Sequence, residues 1–186
     1  MDTPSKQKLK KYFIKMRDWD WKLLITLTLG VLLLSALYCF VLYQNEIIPL
    51  GGKKAPTYVF LLVAQWYLVK DFSKKNTLDK LHFLKLFAYQ YFFVFLVALT
   101  GSLLLRFFYE IELGQGILRQ FILQSIAEIQ QYSPQIESRE GKQYLIDLVQ
   151  GVQGISPGSI AKDEFFQKIA LAFLPNLLIS LYYKRM

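Results

Sequence analysis

The 186 residues are 54% hydrophobic, include one cysteine and one histidine, and carry a formal net charge of +8. A chain of this length can bury a soluble core, but here the apolar residues stand in long blocks with nearly all the charge between them, which points to a bilayer. The lone Cys39, inside an apolar block, excludes an intrachain disulfide and a cysteine-built zinc site. Lys and Arg gathered at block ends rather than in one patch argue against nucleic acid.

Residues 1–20 form a basic tail in which Leu9, Tyr12, Phe13 and Met16 make an apolar stripe beside Lys8, Lys11 and Lys15. An amphipathic helix on the inner leaflet is expected. Its three lysines are candidate contacts for anionic lipid, where each contributes about 1 kcal/mol, or for a cytoplasmic protein. The first apolar block, residues 21–43, contains LLITLTLGVLLLSALYCFVLY without a charge. About 20 such residues cross a hydrocarbon core, and the run is too long for an ordinary signal peptide, so it is expected to be retained as a span.

A short connector over 44–55, punctuated by Pro49, Gly51 and Gly52, reads as a brief turn. The second block, Pro56 to Val69 (PTYVFLLVAQWYLV; a span of about 56–70), is short enough to be re-entrant rather than spanning. The lysines after it (Lys70, Lys74, Lys75, Lys80 and Lys85) favour a crossing, because otherwise they would face outward. His82, in that basic loop, reads as an interfacial residue and not as a ligand or base. The third block, 83–109, is strongly aromatic and flanked by Lys85 and Arg106, both able to snorkel. The fourth, 165–183, contains Pro175, expected to kink it, and runs into Lys184 and Arg185.

Between the last two blocks, residues 110–164 hold two helical apolar periodicities. The first is Ile117, Leu118, Phe121, Ile122, Ser125 and Ile129; the second is Tyr144, Leu145, Leu148, Val149 and Val152. With Ser133-Pro134 and Gly141 between them, they predict an amphipathic helical hairpin outside the cytoplasm, followed by Ser159 or Asp163 as a helix cap. The expected fold is therefore all-α: a basic tail (1–20) and one four-helix transmembrane domain (21–186), both termini cytoplasmic. On that topology 14 of the 22 Lys and Arg residues lie inside, as the positive-inside tendency requires.

The candidate intramembrane contacts are Gln65, Gln90 and Asn176, near Thr100, Ser102, Ser180 and Arg106. Such groups commonly join helices, with bonds worth roughly 0.6 kcal/mol on average; they could also line a solute path. Small residues one turn apart (Thr26 and Gly30, Ala98 and Ser102) permit close packing, with no G-x-x-x-G motif inside the apolar blocks. The four apolar cores show no embedded carboxylate or paired charge of the kind an ion-coupled transporter needs. Glu110, Glu112, Glu128, Glu137, Glu140, Asp147, Asp163 and Glu164 are scattered without motif spacing, so no catalytic residue, cofactor or metal is expected.

The segments LKLFAYQYFFVFLVALTGSLLLRFFYEI and IALAFLPNLLISLYYKR, placed either side of a helical insertion, resemble the bacterial Domain of Unknown Function 4199 family. The resemblance implies a bacterial inner-membrane protein of four helices and no known activity, and it transfers no functional residues. The expected role is that of a non-catalytic accessory or scaffold subunit in contact with the lipid bilayer and a protein partner or a second copy. The alternative is an oligomeric small-solute or lipid transport component.

Overall fold

A computed structural model describes residues 19–75 and 83–185. The predicted tail helix with Lys8, Lys11 and Lys15, and the part of the basic loop that holds His82, lie outside those residues. The described residues form seven α-helices: α1 (Trp21–Gln44), α2 (Pro56–Lys75), α3 (Phe83–Glu110), α4 (Glu112–Gln131), α5 (Ser133–Glu140), α6 (Lys142–Gln153) and α7 (Pro157–Arg185). A 3-10 turn, Gly51–Lys54, precedes α2, and no strand occurs among the described residues.

The Asp20 side chain accepts a hydrogen bond from the Leu23 amide (3.0 Å), capping α1 at its start. One narrow stripe of α1, Leu24, Thr28 and Val31, is buried, while Ile25, Leu29, Leu33, Leu37 and Phe40 are more than half exposed. A helix that is apolar all round yet covered on one side fits an apolar environment on the other. By length and composition, α1, α3 and α7 as far as Tyr183 are long and apolar enough to cross a membrane. The 20-residue α2 ends in a polar stretch containing Lys70, Asp71 and Lys74, which keeps it outside that group.

Helices α3 and α7 share the most extensive interface. They run antiparallel, as the ring pairs Phe95–Phe165 and Phe87–Phe173 fix. Helix α2 lies parallel to α7, and Trp19 at the start of α1 packs on Tyr89 and Phe92 of α3. Toward this tail end Leu24, Leu61, Leu68, Phe72, Leu86, Tyr89, Phe93 and Val94 form one apolar cluster.

At the opposite, connector end the chain departs from the expected surface turn. Asn45 donates its side-chain amide to the Val41 carbonyl (2.7 Å), Glu46 takes a positive φ of 61°, and the reversed chain tucks Ile48 and Leu50 beneath Tyr109, Ile117, Leu118 and Ile160. Gly114 makes the α3–α4 joint: a Cβ there would stand 2.0 Å from the Phe108 carbonyl oxygen. The insertion contains three helices, not two, because Ser133-Pro134 opens α5 instead of breaking the chain, proline being suited to a first helical turn. Gly141, with φ +88°, separates α5 from α6, and α6 packs back on α4.

Helix α7 begins at Pro157, well before the predicted residue 165. The expected caps were Ser159 or Asp163; instead Ser156 Oγ accepts from the Ser159 amide (3.2 Å), while Ser159 Oγ accepts from the Ser156 amide (2.9 Å). This reciprocal pairing satisfies two amides at the helix start. Asp163 and Glu164 are consequently inside the helix, and the helix continues through Pro175.

Candidate functional site: a polar stripe on the last helix

Four-residue steps along α7 pass through Ile160, Glu164, Lys168, Ala172, Asn176 and Ser180, and every one of these residues is buried. Successive i, i+4 positions climb about 6 Å and slip about 40° around a helix. The stripe from Glu164 to Ser180 is thus about 24 Å long and winds from the connector toward α3. Its polar members meet polar groups on other elements.

At the connector end both oxygens of the Glu164 carboxylate accept from ammonium groups, Oε2 from Lys54 Nζ and Oε1 from Lys168 Nζ. Lys54 comes from the 3-10 turn and Lys168 from the next turn of α7, so the cluster fastens the connector to the last helix. All three residues are at most 9% exposed. Gly101 of α3 faces this layer: a Cβ there would lie 3.2 Å from Lys168 Nζ. Nearby, Tyr58 donates its hydroxyl to Gln167 Oε1 (3.0 Å) at the rim.

Deeper in, Gln65 of α2 donates Nε2 to Asn176 Oδ1 (2.7 Å), and Gln90 of α3 donates Nε2 to Ser180 Oγ (2.7 Å). All four side chains are fully buried. Gln65 Oε1, Gln90 Oε1 and Asn176 Nδ2 have no hydrogen-bond partner among the described residues. The three residues singled out from sequence fall into two hydrogen-bonded pairs one turn apart on α7: Asn176 joins Gln65, and Gln90 joins Ser180. Ser102 turns back to the Leu99 carbonyl (2.9 Å), and Arg106, exposed, pairs with Glu110 one turn on (3.0 Å).

The ion cluster stands at the edge of the apolar blocks, where the sequence reading singled out none of its charged groups. Lys168 lies within the fourth block, and its carboxylate partner falls one residue before that block's predicted start. The signal available was positional: extending the Asn176–Ser180 register backward in steps of four reaches Lys168 and Glu164. Lys54 carried no such signal, because its burial depends on the fold of the connector.

What the fold and site define, among the described residues, is an all-helical bundle with three helices long and apolar enough to cross a membrane, fitting a membrane protein. No protein-family model, curated protein or solved structure matches the chain.

Proposed function

We propose that this chain is a bacterial inner-membrane protein crossing four times, with both termini cytoplasmic, and that it serves as a non-catalytic accessory or scaffold subunit of a membrane assembly. The observation that carries the role is that the deep polar side chains of α7 are spent on other helices: Asn176 on Gln65 and Ser180 on Gln90. Interhelical hydrogen bonds of this kind fix helix register in lipid. A fourth crossing by α2 is supported by its parallel run beside α7, tied at Lys54–Glu164, Tyr58–Gln167 and Gln65–Asn176. The extracytoplasmic placement of α4–α6 follows from the same topology and the positive-inside tendency. The Domain of Unknown Function 4199 resemblance stands within this proposal as the family to be tested with profiles built from relatives of this chain.

Copurification in mild detergent tests the role. The expected result is a stoichiometric protein partner or a homo-oligomer; a lone monomer under all mild conditions would count decisively against a scaffold. Reporter fusions at Gly52, Asn76 and Gly141 test the topology, and an outward reporter at Asn76 would remove the second crossing. The transport reading is favoured by one observation, the unpartnered Gln65 Oε1, Gln90 Oε1 and Asn176 Nδ2 along the stripe. It requires Asn176→Leu and Gln90→Leu to abolish flux in reconstituted vesicles while leaving the fold intact.

A further inference from the structure

The cluster at the connector end is unbalanced. Two ammonium groups share one carboxylate, and among the described residues neither lysine has any other ion-pair or hydrogen-bond partner for its side chain. Each ammonium has three N–H donors. One on each is used, so among the described residues two on each have no acceptor and the Lys54–Glu164–Lys168 cluster carries a net charge of +1 in a layer that is almost wholly buried. An excess buried charge is costly unless an opposite charge compensates it.

The layer has an edge. The side chains of Glu164 and Lys168 are 5% exposed, whereas that of Lys54 is 11% exposed. Gly51, Gly52 and Lys53, which precede Lys54 in the same 3-10 turn, are all exposed. Gly51 and Gly52 have nothing within 4 Å of where a Cβ would stand, so the start of the 3-10 turn is open to its surroundings. Tyr38 donates its hydroxyl to the Lys53 carbonyl (3.2 Å), and Tyr58 stands at the same rim. Tyrosines at such a level mark the depth of lipid headgroups.

We propose that Lys54 and Lys168, with exposed Lys53 at the entrance, form a binding site for a phosphate group presented at the connector rim, the phosphate of an anionic lipid headgroup. The phosphate oxygens accept the unused N–H donors of Lys54 first and neutralise the excess charge, while Glu164 holds the two ammonium groups in place. The site rests on the membrane reading of the bundle for its lipid source. Its phosphate chemistry rests only on the Lys54–Glu164–Lys168 geometry.

The test uses the full chain in nanodiscs of phosphatidylcholine, with phosphatidylglycerol added in one arm and inorganic phosphate in another, and counts retained lipid by native mass spectrometry. Phosphatidylglycerol is expected to be retained over phosphatidylcholine. Lys54→Gln should weaken that retention about fivefold, and Lys54→Arg should preserve it. Equal retention by the unaltered chain and a folded Lys54→Gln variant overturns the proposal. A second measurement needs no variant: phosphatidylglycerol should protect the exposed entrance Lys53 from an amine-reactive label, and unchanged labelling overturns the site. Protection by inorganic phosphate but not by lipid supports the phosphate site and assigns its source to a free anion. Failure of the membrane reading is seen separately, as a chain that stays in solution without detergent.

Discussion

Helix α7 of the bundle and the α4–α6 layer differ in the kind of residue that they cover. In the bundle the covered stripe of α7 is largely polar, from Glu164 to Ser180, and the exposed surface is apolar, with Leu171, Leu174 and Leu178 all more than half exposed. In the layer the covered residues are apolar, Ile117 and Leu118 on the Tyr109 cluster, and the uncovered side is mixed, with Glu128 and Gln130 beside Leu123 and Tyr144. The inversion of the bundle is what an apolar solvent imposes: polar groups have nowhere to go but toward each other. The layer follows the rule for helices in water.

The largest effect expected from breaking this contrast is at Glu164. Glu164→Gln leaves two buried ammonium groups facing each other without their carboxylate, and losing one partner of a buried ion pair costs about 3–5 kcal/mol. Thermal unfolding in detergent should show it as a large drop in midpoint, and an unchanged midpoint would mean that the cluster is solvated. Gly114→Ala comes next, because the added Cβ has the Phe108 carbonyl oxygen at 2.0 Å and the α3–α4 joint must shift. About 1–3 kcal/mol or more is expected, with faster proteolysis of α4–α6 than of the bundle.

Asn176→Leu removes the tie to Gln65 and sharpens the comparison at smaller scale. A loss of about 0.6–1.7 kcal/mol is expected for an interhelical hydrogen bond in a bilayer, together with retention of helicity by circular dichroism. A far larger loss would place Asn176 in a role beyond packing. The smallest effect belongs to the exposed side of the layer: Leu123→Asn should change stability by no more than about 0.5 kcal/mol. If the layer meets the partner of the proposed assembly, the same variant should lower copurification yield, and an unchanged yield directs the partner elsewhere.

Gln65, Gln90 and Asn176 were legible as buried polar groups because they interrupt apolar blocks, where each such residue is conspicuous. Their pairing was not legible. Whether Asn176 meets Gln65 or Gln90 depends on the rotation and relative height of α2, α3 and α7, and the residue that takes Gln90, Ser180, is an ordinary serine in an apolar run. The insertion shows the same division. The period of Ile117 to Ile129 predicts α4, while Ser133-Pro134 admits either a break or a first helical turn, and the structure takes the turn as α5.

Sequence by itself determined the all-helical class, the three long apolar helices and the inward position of the amides, since block length and charge placement are local properties that a bilayer reads directly. Tertiary structure alone decided the ion cluster. Lys54 lies 110 residues from Glu164 in the chain. Only the reversal at Glu46, the burial of Ile48 and Leu50, and the early start of α7 at Pro157 bring that lysine against the carboxylate. Contacts between distant segments depend on how helices rotate and slide against one another, which no local period encodes.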